Sequence, residues 1–237
     1  MITFVGESSN LLIKYQMAQV FNFAEQNTVI NRFMAELRDK NLQKNRLLFR
    51  HNVKRVGEMM AYELSKTLEY KPKTVTTPLG SLDIPLPKDD IVLATVLRAG
   101  LPFHEGFLHV FDDADNGFVS AFRMYLNREH TEVGVYTEYI ATQNVKNKTL
   151  IIVDPMLATG ASMEQALAKL EEEGGTAQHV HMVCPVASLY AVDHLLQHLD
   201  SRFTLWVAAI DEELTSHNYI IPGLGDAGDL AFGEKIQ

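Results

Sequence analysis

The 237-residue sequence holds a single cysteine, Cys184, so no intrachain disulfide can form and CxxC metal or redox motifs are excluded. A chain of this length buries about 70% of its unfolded surface and needs no such staple. No apolar run approaches the roughly 18 residues of a membrane-spanning helix. The opening residues, Met1-Ile2-Thr3-Phe4-Val5-Gly6-Glu7, lack a basic stretch followed by an apolar one, so no secretory leader is expected. Positive charge is in short supply: 21 Lys and Arg face 30 Asp and Glu, a net charge of −9, which disfavours a general nucleic-acid binder. Internal repeats and low-complexity tracts are missing. The rest of the composition, 46% hydrophobic and 22% charged, excludes collagen-like, coiled-coil and wholly disordered chains. A soluble protein of a reducing compartment, most simply the cytoplasm, is expected.

The charge that is present is unevenly placed. Residues 31–71 carry ten Lys and Arg against five Asp and Glu, leaving −14 for the remainder. Phe33, Met34 and Leu37, then Val53, Val56, Met60 and Leu64, recur at helical spacing and predict helices over about 29–40 and 43–68. The basic excess fits a solvated helix face, or a surface for an anionic ligand, a nucleic acid or a partner subunit. Lys73–Thr77 and Leu82–Pro85 flank the turn signal Pro78-Leu79-Gly80 and predict a hairpin. Five short β-branched-rich runs follow, at 91–96, 118–122, 149–153, 180–183 and 205–210. They lack strict alternation, as strands buried on both faces of a parallel sheet do. Helical patterns lie between several of them, notably at 161–173 and 187–199. The expected fold is α/β: an open, mainly parallel twisted sheet flanked by helices, with N-terminal helices and a β-hairpin. A single domain over 1–237 is expected, with a helical part at 1–70, an α/β core at 91–210 and a C-terminal segment at 211–237. Residues 124–147 are polar and mixed, and read as a mobile excursion from the sheet.

The most informative stretch is Thr149-Leu150-Ile151-Ile152-Val153-Asp154-Pro155-Met156-Leu157-Ala158-Thr159-Gly160-Ala161-Ser162. An apolar strand ends in a carboxylate, a loop of small residues follows, and a helix begins near Ser162. In open α/β sheets ligands bind beyond the carboxyl ends of strands. The start of the next helix offers unpaired N–H groups and its positive dipole end to a phosphate. Asp154 is suited to accept hydrogen bonds from sugar hydroxyls, so the loop fits a ribose phosphate; a plain strand–turn–helix connection is the alternative. There is no Gly-Lys-Ser/Thr, so this is not a P-loop. A literal GxGxxG occurs at Gly223, Gly225 and Gly228, but only nine residues follow it, too few for a dinucleotide-binding βαβ unit.

Val153–Ser162 resembles the phosphoribosyl pyrophosphate (PRPP) loop of type I phosphoribosyltransferases, in the Asp-Pro-Met-Leu-Ala-Thr-Gly form of the uracil enzymes. Val96-Leu97-Arg98-Ala99-Gly100-Leu101 is similar to their pyrophosphate loop, and Tyr219–Asp229 to their uracil-binding segment. Weaker likeness runs through Phe49-Arg50 and Tyr62-Glu63. Two departures stand out: Ala161 where the family usually has a second Gly, and Pro155, which uracil enzymes share, where other type I enzymes have an acidic residue.

The resemblance implies conversion of uracil and PRPP to UMP and diphosphate, with magnesium arriving on PRPP and no dedicated metal site. It implies that Arg98 and Arg123 hold PRPP, that Asp154 engages the ribose hydroxyls, and that Pro155, Met156, Leu157, Ala158, Thr159, Gly160, Ala161 and Ser162 form the loop around the 5′-phosphate. Asp154 and Arg98 are the implied catalytic residues. Ile220, Gly225, Asp226 and Ala227 align with the uracil contacts, and Asp226 also with a PRPP contact. A non-proline cis peptide within Leu97–Gly100 is implied, as is a homo-oligomer, a dimer or larger. Cys184 reads as inert packing. His179 and His181 alternate on a strand, and His194 and His198 have i, i+4 helical spacing, but the sequence offers no third ligand. A regulatory RNA-binding protein that keeps the fold is the alternative class, supported only by the basic stretch 31–71. An orotate enzyme is disfavoured because Ile220–Ala227 offers that substrate's carboxylate no cationic partner.

Overall fold

The computed structural model describes residues 19–125 and 133–235, with side chains at 121–125 and 133–138 outside the description. A short strand β1 (Gln19–Asn22) leads through one 3-10 turn to helices α1 (Ile30–Arg38) and α2 (Arg46–Ser65). Hairpin strands β2 (Tyr70–Thr77) and β3 (Gly80–Pro87) follow, then β4 (Ile91–Leu97), α3 (Leu101–Leu108), β5 (Asp115–Tyr125) and β6 (Val133–Ala141). The remainder is β7 (Thr149–Val153), β8 (Met156–Leu157), α4 (Ala161–Gly174), β9 (His179–Ser188), α5 (Leu189–His198), β10 (Phe203–Asp211), β11 (Glu213–Leu214), β12 (Ile220–Ile221) and α6 (Ala227–Phe232).

The main sheet has the order β1-β10-β9-β7-β4-β5-β6, and β8 adds a short pairing to β9. Its ladders are parallel except that between β5 and β6. Among the strands β4, β5, β7, β9 and β10, chain order reverses between β4 and β7. In a doubly wound sheet the ligand crevice opens at that reversal, outside the carboxyl ends of the two strands.

The strands read as continuous apolar runs because both faces are covered. Ile151 and Val153 pack with Leu93 on the face of α1, α2, α3 and α6, while Leu150 and Ile152 pack with Val92, Ala94 and Val96 on the face of α4 and α5. Each such Val, Leu or Ile contributes about 1.5–3 kcal/mol on burial. Asn45 starts α2 by accepting the Leu48 amide at 3.1 Å, and the buried stripe Phe49, Val53, Val56, Met60 and Leu64 holds the helix on the sheet.

The expected open, mainly parallel α/β sheet is present. Two expectations are corrected. Residues 124–147 are not an excursion from the sheet: Met124 and Tyr125 continue β5, and Val133–Ala141 pairs antiparallel with it as an edge strand. An edge strand has a single neighbour and tolerates the mixed polarity that concealed it. Residues 126–132 lie outside the described residues. The segment 1–70 is not wholly helical either, because β1 pairs in parallel with β10 at the other edge. Its Phe21 stacks on Trp206 at 4.1 Å, a tertiary contact that a four-residue strand does not advertise.

Candidate active site

The site is built where β4 and β7 end side by side, with Thr95 in register with Val153. Thr95 is a fully buried polar residue in an apolar strand, and its hydroxyl donates to the Val153 carbonyl at 3.2 Å. Gly100 packs so tightly behind this pair that an added Cβ would lie 2.1 Å from Thr95 Oγ1 and 2.7 Å from the Val96 carbonyl. The loop after β4 therefore lies flat on the strand ends. The Leu97–Arg98 peptide is cis, within the expected segment.

Beyond Val153 the Asp154 carboxylate accepts the Met156 amide at 3.2 Å. Met156 and Leu157 then run alongside β9, pairing with Val186 and Ala187. Leu157 and Ala158 turn their side chains inward, whereas Thr159, Ala161 and Ser162 stay partly exposed. Gly160 caps α4 with φ +87°, a left-handed conformation that favours glycine. Ala161 is the first helical residue, where Ala is preferred to Gly, so the departure from the family pattern costs the backbone nothing. The Met163 and Glu164 amides both donate to the Gly160 carbonyl at 3.0 Å, so the Ala161 and Ser162 N–H groups precede the first bond of the helix, where its positive dipole end lies.

The loop is braced by a residue the sequence reading missed. Ser188, fully buried at the end of β9, donates to the Ala158 carbonyl at 2.5 Å and accepts the Ala191 amide at 3.0 Å. A serine between an apolar strand and a helix is a legible cap signal, but its second partner across the fold is not.

The C-terminal segment is drawn onto the same edge. Arg98 Nη2 donates to Asp229 Oδ1 at 2.9 Å and to the Gly233 carbonyl at 2.7 Å. A guanidinium has five donors, so this tether leaves capacity for an anion. Gly228 sits close enough that a Cβ there would be 3.7 Å from Arg98 Nε and 3.9 Å from Ala99 Cβ. Asp226 caps α6 by accepting the Asp229 amide at 3.0 Å, and Lys235 donates to its other oxygen at 3.0 Å. Burial pushes the Asp226 carboxyl up, but that amide and the Lys235 ammonium outweigh burial and hold it below the usual carboxylate range. Ile220 and Ala227 are buried and Gly225 is exposed on the turn between them. Farther back, Arg38 grips Asp211 with two bonds of 2.9 and 3.0 Å, and Asp211 accepts the Gly223 amide at 2.9 Å. Of the GxGxxG match, Gly223 and Gly225 serve this turn with φ of +53° and +91°, and Gly228 lies in α6.

Arg123 lies on β5 opposite Val135, and its side chain is outside the described residues. Cys184 is fully buried; burial, then the nearby Asp154 charge, pushes its thiol well up, so it stays protonated and inert. Much of the basic excess in 31–71 is committed internally: Arg38 to Asp211, Arg50 to the Ala231 carbonyl, Lys54 to Glu105 and Lys66 to Glu63.

A parallel α/β sheet with a small-residue loop and helix start after β7, an arginine-bearing loop after β4 and a C-terminal turn tethered to that arginine has the architecture of a type I phosphoribosyltransferase. The family profile described as uracil phosphoribosyltransferase matches residues 24–234. A Porphyromonas gingivalis protein named uracil phosphoribosyltransferase is 49% identical over 218 residues, covering 92% of this chain and all of that protein. One of the same name from Thermococcus kodakarensis is 36% identical over 222 residues, covering 92% of each. The solved structure of the AQ2163 protein from Aquifex aeolicus superposes with a TM-score of 0.79 at 29% identity, covering 92% of this chain and all of that one. This chain belongs to the uracil phosphoribosyltransferase family, a family of pentosyltransferases.

Proposed function

We propose that the protein transfers the phosphoribosyl group of PRPP to N1 of uracil, giving UMP and diphosphate in pyrimidine salvage. The observation that carries this reading is the tether from Arg98 to Asp229 and Gly233, which sets the base-binding turn against the diphosphate loop. Arg98 holds the departing diphosphate, with Arg123 as a second PRPP contact. Residues Ala158–Ser162 wrap the 5′-phosphate, and Pro155, Met156 and Leu157 carry the chain from Asp154, which holds the ribose hydroxyls, to that cradle. Bond breaking at C1 runs ahead of bond making, so charge accumulates on diphosphate. Catalysis is then positioning plus stabilisation of that charge by preorganised donors.

Uracil presents acceptor, donor, acceptor along one edge. Backbone groups of Ile220, Gly225, Asp226 and Ala227 match it, while cytosine would aim a donor at a donor, a mismatch such sites reject by about 10⁴-fold. Mg²⁺ fits as a companion of PRPP, because phosphate-held Mg²⁺ needs few protein ligands and the Asp226 carboxylate is already committed to Asp229 and Lys235. A cytoplasmic homo-oligomer is the proposed form. The β2–β3 hairpin, with Leu79, Leu82, Ile84 and Leu86 exposed, supports a subunit contact.

The test is UMP formation from PRPP and Mg²⁺ with uracil, cytosine or orotate. Turnover with uracil alone is expected, and none with uracil overturns the proposal. Arg98→Ala and Asp154→Asn are each expected to lower kcat/KM by about 10²–10³ with an unchanged circular dichroism spectrum. A wild-type rate in either removes that residue's role.

A further inference from the structure

The histidine pair on α5 gains in the fold the partner that its own segment lacks. His194 and His198 lie one turn apart on a single helix face, and Glu164, from the first turn of α4, reaches across to them. One ligand atom from each of the three lies within 4.8 Å of the other two. His194 Nε2 and Glu164 Oε2 are 3.1 Å apart. That is close to the edge of about 3.3 Å that a tetrahedral zinc with bonds of about 2.0–2.2 Å requires. His198 Nδ1 lies 2.7 Å from the His194 carbonyl. A carbonyl only accepts, so Nδ1 is the donor in this bond and Nε2 is the ring atom left for a metal. Such a bond to a backbone carbonyl is how metal-ligating histidines are commonly oriented. His198 is the exposed member of the three.

The geometry points to a binding site for a divalent first-row transition ion of the Zn²⁺ type, held by Glu164, His194 and His198 with a fourth position open to water. Imidazole ligands favour such ions over hard Mg²⁺. The site is therefore separate from any magnesium carried by PRPP. It abuts the phosphate loop: a Cβ on Gly160 would lie 3.5 Å from His194 Cδ2, and the Glu164 amide donates to the Gly160 carbonyl at 3.0 Å. A bound ion would clamp the C-terminal end of α5 to the base of the phosphate cradle.

The experiment is titration of the chelator-stripped full chain with Zn²⁺ in excess Mg²⁺, read by calorimetry and by the visible absorption of Co²⁺ in the same site. One ion per chain is expected, with tetrahedral Co²⁺ absorption, a higher Tm at saturation and affinity that falls in acid as the ligands take up protons. His198→Ala and Glu164→Gln should each weaken binding at least 10-fold, whereas His179→Ala should not. His198 is exposed and its removal leaves the core intact, so that variant keeps the proposal testable if others misfold. Absence of saturable one-to-one binding, or equal affinity in His198→Ala, Glu164→Gln and the parent, overturns the site. An unchanged Tm at saturation overturns the clamp.

Discussion

Single residues in this protein do paired duties across the strand ends. Ser188 is the clearest case, since one hydroxyl caps α5 and also fixes the Ala158 carbonyl in the loop between β8 and α4, the loop proposed to hold the 5′-phosphate. Ser188→Ala removes the cap and leaves a buried carbonyl without its donor, at a cost of about 1–2 kcal/mol. The urea midpoint should fall accordingly. The loosened loop should raise KM for PRPP several-fold while KM for uracil holds; equal shifts in both would show that the serine supports the fold without aligning the cradle. At this scale the sequence was legible where chemistry follows local pattern. Asp154 at a strand end, Gly160 before a helix and Arg98 after a buried strand could each be read from their neighbours. Thr95, Ser188 and Asp229 could not be read as site residues, because what makes them matter is a partner from 30 to 131 positions away; Thr95 bonds to Val153 at a separation of 58, Ser188 to Ala158 at 30 and Asp229 to Arg98 at 131.

Elements in this fold are set by burial, and their connections by a few polar ties. The strands β4, β7, β9 and β10 were visible because both faces are buried, whereas β6 and β1, each at an edge, were not. The turn at Gly223, in the segment proposed to bind the base, is tied back through the pair of Arg38 of α1 and Asp211 at the end of β10. Asp211 is nearly buried and holds the Gly223 amide as well. Removing one partner of a buried pair costs about 3–5 kcal/mol because the other charge is stranded. Arg38 is partly exposed, so water softens the penalty, and Arg38→Met is expected to cost about 2–3 kcal/mol. The turn should loosen with it, raising KM for uracil more than KM for PRPP, the reverse of the Ser188 variant. Steady-state kinetics with each substrate varied in turn checks this, and an unchanged KM for uracil would separate the tie from base binding.

For the whole molecule, the response to acid depends on which titratable groups the core has taken in. His181 is buried between β7 and β10, where burial and then the neighbouring His179 push its pKa down from 6.5 to about 3. Trp206 Nε1 donates to its Nδ1 at 3.1 Å, so that nitrogen must stay unprotonated while the indole contact lasts. The sign follows from the proton count. Below pH 6.5 the unfolded chain binds a proton at this site that the folded chain refuses, so stability falls as pH falls, until about pH 3 is passed. Each unit within that window costs about 1.4 kcal/mol. His104 and His179, whose pKa values are also lowered by burial, act in the same direction. Urea denaturation followed by the fluorescence of the sole tryptophan, Trp206, should therefore lose about 2 kcal/mol or more between pH 7 and pH 5. His181→Gln can still accept the indole N–H through its side-chain carbonyl but cannot titrate, so it should flatten that acid limb without removing the contact. A slope unchanged in this variant would place the acid sensitivity elsewhere than the His181–Trp206 pair.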